Sequence, residues 1–114
     1  MARSPGPQAL AGRRVRLAFD PRDSTPDLAA GGPVEATVET VRDDPAVGGP
    51  LIEGTVEAPT LLRGLAFRAW ARYEDEPLEA CLSGGAATVN ASIEAPGGRA
   101  VAGGLAALTL GGGP

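Results

Sequence analysis

Histidine and lysine are both missing from this 114-residue chain. Without histidine there is no commonest general base, no imidazole metal ligand and no serine- or cysteine-type triad of the usual kind. One cysteine, Cys81, excludes an internal disulfide and cannot supply the ligand set of a zinc site. The missing lysine also removes the phosphate-binding loop, and no GxGxxG opens a helix. Aromatics are scarce: one Trp, one Tyr and two Phe. No apolar run is long enough to span a bilayer, and residues 1–10 lack the apolar stretch of a signal peptide. The expected location is the cytoplasm. A net charge of −4 and a pI near 4.7 argue against nucleic acid and anionic membranes, which call for a basic face. No cofactor or metal is expected.

What remains is enough for one domain with a thin core. Leu, Ile, Val and Phe number 24, while Ala alone contributes 21. Lightly cored domains of this size often gain stability by oligomerising. Arginine as the sole basic residue, beside abundant Ala, Gly and Pro, reads as codon bias rather than chemistry.

Alternation of period two defines the strands. Val15, Leu17 and Phe19 alternate with Arg14 and Arg16; Val34, Ala36 and Val38 with Glu35, Thr37 and Glu39. Ile52, Gly54 and Val56 alternate with Glu53, Thr55 and Glu57, and Val89, Ala91 and Ile93 with Thr88, Asn90 and Ser92. Turn chemistry separates them: Asp43-Asp44-Pro45 to Gly48-Gly49-Pro50, Ser83-Gly84-Gly85 and Ala95-Pro96-Gly97-Gly98. Residues 32–39 and 49–57 echo each other weakly, as two similar neighbouring strands would. The expected fold is all-β, an antiparallel meander of about six or seven short strands closed into a sandwich or small barrel. Residues 1–12 read as a flexible arm, 13–110 as the domain and 111–114 as a flexible tail.

Residues 61–76 admit a second reading, giving an α+β fold with one helix. Leu62, Leu65, Ala66, Ala69, Trp70 and Tyr73 would share a helix face. Arg63 in the first turn and Glu74-Asp75-Glu76 in the last oppose the helix dipole, however, and Gly64 would sit inside. A strand is the better expectation.

On that strand Arg68, Trp70 and Arg72 share one face, and Leu65, Phe67, Ala69, Ala71 and Tyr73 form a core face. Trp beside two guanidinium groups is a combination enriched at interface hot spots and able to stack. Arg68, Trp70, Arg72 and Tyr73 are therefore the candidate binding residues. Glu53 and Glu57, on a neighbouring strand, could instead pair with these arginines and leave Trp70 a covered surface anchor. Acidic clusters at Asp20, Asp23 and Asp27, at Asp43 and Asp44, and at Glu74, Asp75 and Glu76 match no calcium loop and read as turn caps. Cys81, between Ala80 and Leu82, reads as a small buried hydrophobe.

Arg68 and Arg72, with Leu82-Ser83-Gly84-Gly85-Ala86 downstream, resemble in part the motifs of cyclic-dinucleotide-binding PilZ barrels. Cys81 stands where that motif has an acidic residue or Asn, and the chain beyond it is short for that fold, so membership does not follow.

Residues 100–110 carry no charge. As the last strand of a meander this segment would form an edge, and an apolar edge invites pairing. Val101, Leu105, Leu108 and Leu110 are therefore the candidate interface of a homo-oligomer. The composite expectation is a non-catalytic binding or assembly module that self-associates or docks on a larger complex. The alternative is a small-molecule-binding barrel, cyclase- or isomerase-like, enclosing an apolar ligand. With no histidine and no recognisable catalytic motif, the balance leans away from an enzyme.

Overall fold

The computed structural model describes residues 6–24, 32–73 and 75–111. Six antiparallel strands form one closed barrel in sequence order: β1 Arg14–Ser24, β2 Val34–Asp44, β3 Gly49–Ala58, β4 Ala66–Ala71, β5 Ala87–Glu94 and β6 Ala100–Leu110. Closure comes from β6, which pairs with β5 on one side and β1 on the other. The meander is as expected, but its last strand is not an edge. Residues 60–76 contain no α-helix among those described: a 3₁₀ turn, Thr60–Leu62, leads into β4.

Alternation sorts the side chains as the sequence pattern requires. Val15, Leu17 and Phe19 point inward, as do Val34, Ala36 and Val38, and Ala87, Val89, Ala91 and Ile93. Phe67 is the largest fully buried side chain. The β2–β3 hairpin is closed by Asp44, whose side chain accepts a hydrogen bond from the Ala46 amide at 2.9 Å. Gly97 and Gly98 turn β5 into β6 with φ of 95° and 86°, a region L-residues avoid.

Two further 3₁₀ turns, Pro7–Leu10 and Leu78–Ser83, pack on one another at the end of the barrel where β1 begins. They carry Leu10, Leu78 and Cys81 into the core cluster, all three at most 1% exposed. Residues 6–12 thus belong to the domain rather than to a loose arm. Leu10 is the only large aliphatic side chain in that stretch, and burying it offsets the cost of ordering the segment. The Gly12 amide donates to the Val38 carbonyl at 2.8 Å, and the Val38 amide to the Arg13 carbonyl at 2.9 Å. Residues 1–5 and 112–114, the remainder of the expected arm and tail, lie outside the described residues.

Candidate functional site

Strand β4 sets the arrangement. Phe67 and Ala69 go inward, so Arg68 and Trp70 must go outward, and Arg72 follows them just past the strand end. The three residues share an outer face as the alternation predicts. Tyr73 does not join the core: β4 stops at Ala71, the chain bends, and the residue is 48% exposed. Once the strand ends, alternation no longer dictates where a side chain points.

Arg68 is already committed. It faces Glu53 across the β3–β4 ladder at 3.4 Å and Glu94 at 3.7 Å as ion pairs, although its buried Nε makes no hydrogen bond. Glu53 also accepts from Arg42 Nε at 3.0 Å, which holds the Arg42 guanidinium still more firmly protonated. The expected Glu53–Arg68 pairing is therefore present. Glu57 turns the other way, to Arg14 at 2.6 Å and to the Thr37 hydroxyl. With Arg16–Glu35 at 3.9 Å, these pairs cover the outer wall from β1 to β4.

Trp70 lies opposite Leu51 on β3 and Asn90 on β5. Leu51 is fully buried yet stands outside the barrel's core cluster, so a small apolar contact covers it on the outer face beside the indole. The run Leu51-Ile52, two apolar residues in succession within an alternating strand, was the signal for it. Arg72 forms no ion pair among the described residues; its guanidinium carbon is 6.0 Å from the Tyr73 ring centroid. The Trp70 and Tyr73 side chains likewise make no hydrogen bond among the described residues.

Three open clefts meet here. One, of about 420 Å³, is walled by residues 47–50 of the β2–β3 hairpin, residues 70–73, and Pro77, Leu78 and Glu79. A second runs from Trp70 and Arg72 past Asn90 to Gly104 and Leu105. A third joins Tyr73 and Thr88 to Leu105, Ala107 and Asp20.

The other expected residues fall on β6. Val101 is 46% exposed on the outer face and Leu105 half-buried there, whereas Leu108 points into the barrel with no exposure. Leu110 is half-buried against the core. Leu108 is thus core in this chain, because closure against β1 gives the segment an inside and an outside.

Cys81 is buried, and its thiol donates to the Leu78 carbonyl at 3.1 Å. Burial pushes the thiol up from its ordinary range, which keeps it protonated and unreactive near neutral pH. Among the described residues no cluster of three or more His, Cys, Asp or Glu side chains is placed to hold a metal ion. No helix among them is long and apolar enough to cross a membrane. No family model, curated protein or solved structure matches the chain.

Proposed function

We propose that this protein is a non-catalytic assembly module whose partner is a second copy of itself, joined through the outer wall of β5 and β6. The observation that carries this reading is the contrast between the two walls. From β1 to β4 the outer face is laced with arginine–carboxylate pairs. Across β5 and β6 it presents Thr88, Asn90 and Ser92 opposite Ala107, Leu105 and Gly103, with Ala18 of β1 beyond Ala107. Apart from Glu94, which pairs with Arg68, and Glu76, which accepts from the Thr88 hydroxyl, no charged side chain among the described residues stands on this stretch, and Val101 and Leu105 stand on it. A self-complementary patch of this kind suits an isologous two-fold interface, which needs no complementary charge. A cytoplasmic setting agrees with a barrel held by packing and a free thiol.

The alternative, a barrel enclosing an apolar ligand, calls for interior space. Phe67, Leu17, Ile93, Leu108 and Val38 fill the interior at zero exposure, and the clefts open outward. Size-exclusion chromatography with light scattering should give a mass of two chains at micromolar concentration. Leu105→Arg should return it to one chain with the melting temperature nearly unchanged, since Leu105 contributes little to the barrel interior. A wild-type monomer would defeat the proposal.

A further inference from the structure

The 420 Å³ cleft lies on the β3 side of Trp70, while Trp70 and Arg72 also border the neighbouring cleft that reaches Leu105. Its apolar lining comes from Val47, Pro50, Trp70, Tyr73, Pro77 and Leu78. Its polar side chains are unusual in kind. The Trp70 indole N–H and the Arg72 guanidinium can only donate, and the Tyr73 hydroxyl can donate. None of the three is bonded to another side chain or carbonyl among the described residues. Glu79 is the single acidic group in the wall among the described residues.

A matching ligand therefore offers acceptors and apolar surface, with few N–H groups of its own. Proline-rich chain in the polyproline II conformation has this character: its carbonyls point to solvent unbonded, its prolines have no N–H, and its stiffness lowers the entropy lost on docking. We propose that this cleft binds a proline-rich segment of another protein, with Trp70 and Tyr73 as stacking walls and Arg72 donating to the segment's carbonyls. Glu79 takes a basic residue that flanks the prolines. A small free carboxylate would satisfy Arg72 but would face Glu79, and in so open a cleft it would stay largely in water.

Trp70 is the only tryptophan and so reports on its own site. The experiment titrates the full chain with a synthetic decapeptide of prolines ending in one arginine, read by Trp70 fluorescence and by calorimetry. The expected result is a saturable blue shift below about 1 mM. Tyr73→Ala, a change at a half-exposed residue, should weaken calorimetric binding at least about fivefold, and Arg72→Gln likewise. Glu79→Gln should remove the preference for the arginine-bearing peptide over an uncharged one. Val101→Arg, on the self-association face but in neither cleft at Trp70, should bind peptide as wild type does, which separates this site from that face. The proposal is overturned by no saturable signal in either readout, by unchanged binding in a folded Tyr73→Ala, or by binding of benzoate without binding of peptide.

Discussion

Position 54 accepts no side chain. A Cβ built on Gly54 would lie 1.9 Å from the Thr37 carbonyl oxygen and 2.7 Å from Cε1 of Phe67. Gly54 stands opposite both Val38 and Phe67 in the ladder, so its missing side chain is the space that the largest core ring occupies. One obstructing atom is backbone, and a rotamer change cannot relieve it. Gly54→Ala is therefore expected to cost at least as much as ordinary overpacking, about 1–3 kcal/mol. Phe67→Ala, which opens a void instead, should cost about 3–5 kcal/mol. Urea titration of both variants should show reduced midpoints with a similar slope. If Gly54→Ala melted like wild type, the close approach of β2, β3 and Phe67 would be wrong. In the sequence Gly54 reads only as an inward member of an alternating run. Its role depends on Thr37 and Phe67, residues 17 and 13 positions away, and no local pattern reaches that far.

Elements were legible where period two ran without interruption. Val15 to Phe19, Val34 to Val38 and Val89 to Ile93 fall on the expected faces because a strand with one buried side leaves alternation no freedom. Tyr73 escaped that logic, since β4 ends two residues earlier. The Arg68–Trp70 face was readable for the same reason Phe67 was. Which arginine remains unpaired was not, because that depends on Glu94 from β5 reaching Arg68 while Arg72 forms no ion pair among the described residues. The Pro7–Leu10 turn is the clearest element hidden from sequence: its single leucine carries no periodicity, and β2 and the Leu78–Ser83 turn, distant in sequence, give it somewhere to go. That turn is testable. Leu10→Ala should cost about 2–5 kcal/mol, the range for a fully buried leucine, whereas a loose arm would give almost no change in chemical or thermal unfolding.

For the whole molecule, closure governs both what the barrel excludes and where it yields. An open meander would leave β6 as an uncharged edge with a row of unpaired amides, and pairing on both sides abolishes that edge. What β6 retains for a second copy is its outer side-chain face, not its backbone. Among the described residues the β2–β3 ladder runs from Glu35↔Ala58 to Asp44↔Gly49, and the β1–β2 ladder from Arg14↔Thr37 to Leu17↔Val34. At the end where β1 begins, two hydrogen bonds linking Gly12 and Arg13 to Val38 extend the β1–β2 seam. Both follow directly from the seated Leu10, so the end plug and this end of the β1–β2 seam should open together. In native-state hydrogen exchange, amides of β1 and β2 along this seam should exchange by a local opening below the global unfolding free energy, while those of β3, β4 and β5 report the global value. In Leu10→Ala the gap between the two groups should widen, because the change removes what anchors Gly12 and Arg13 to β2. Equal protection of all six strands in both proteins would mean that the barrel opens only as a whole and that the seam has no weakness of its own.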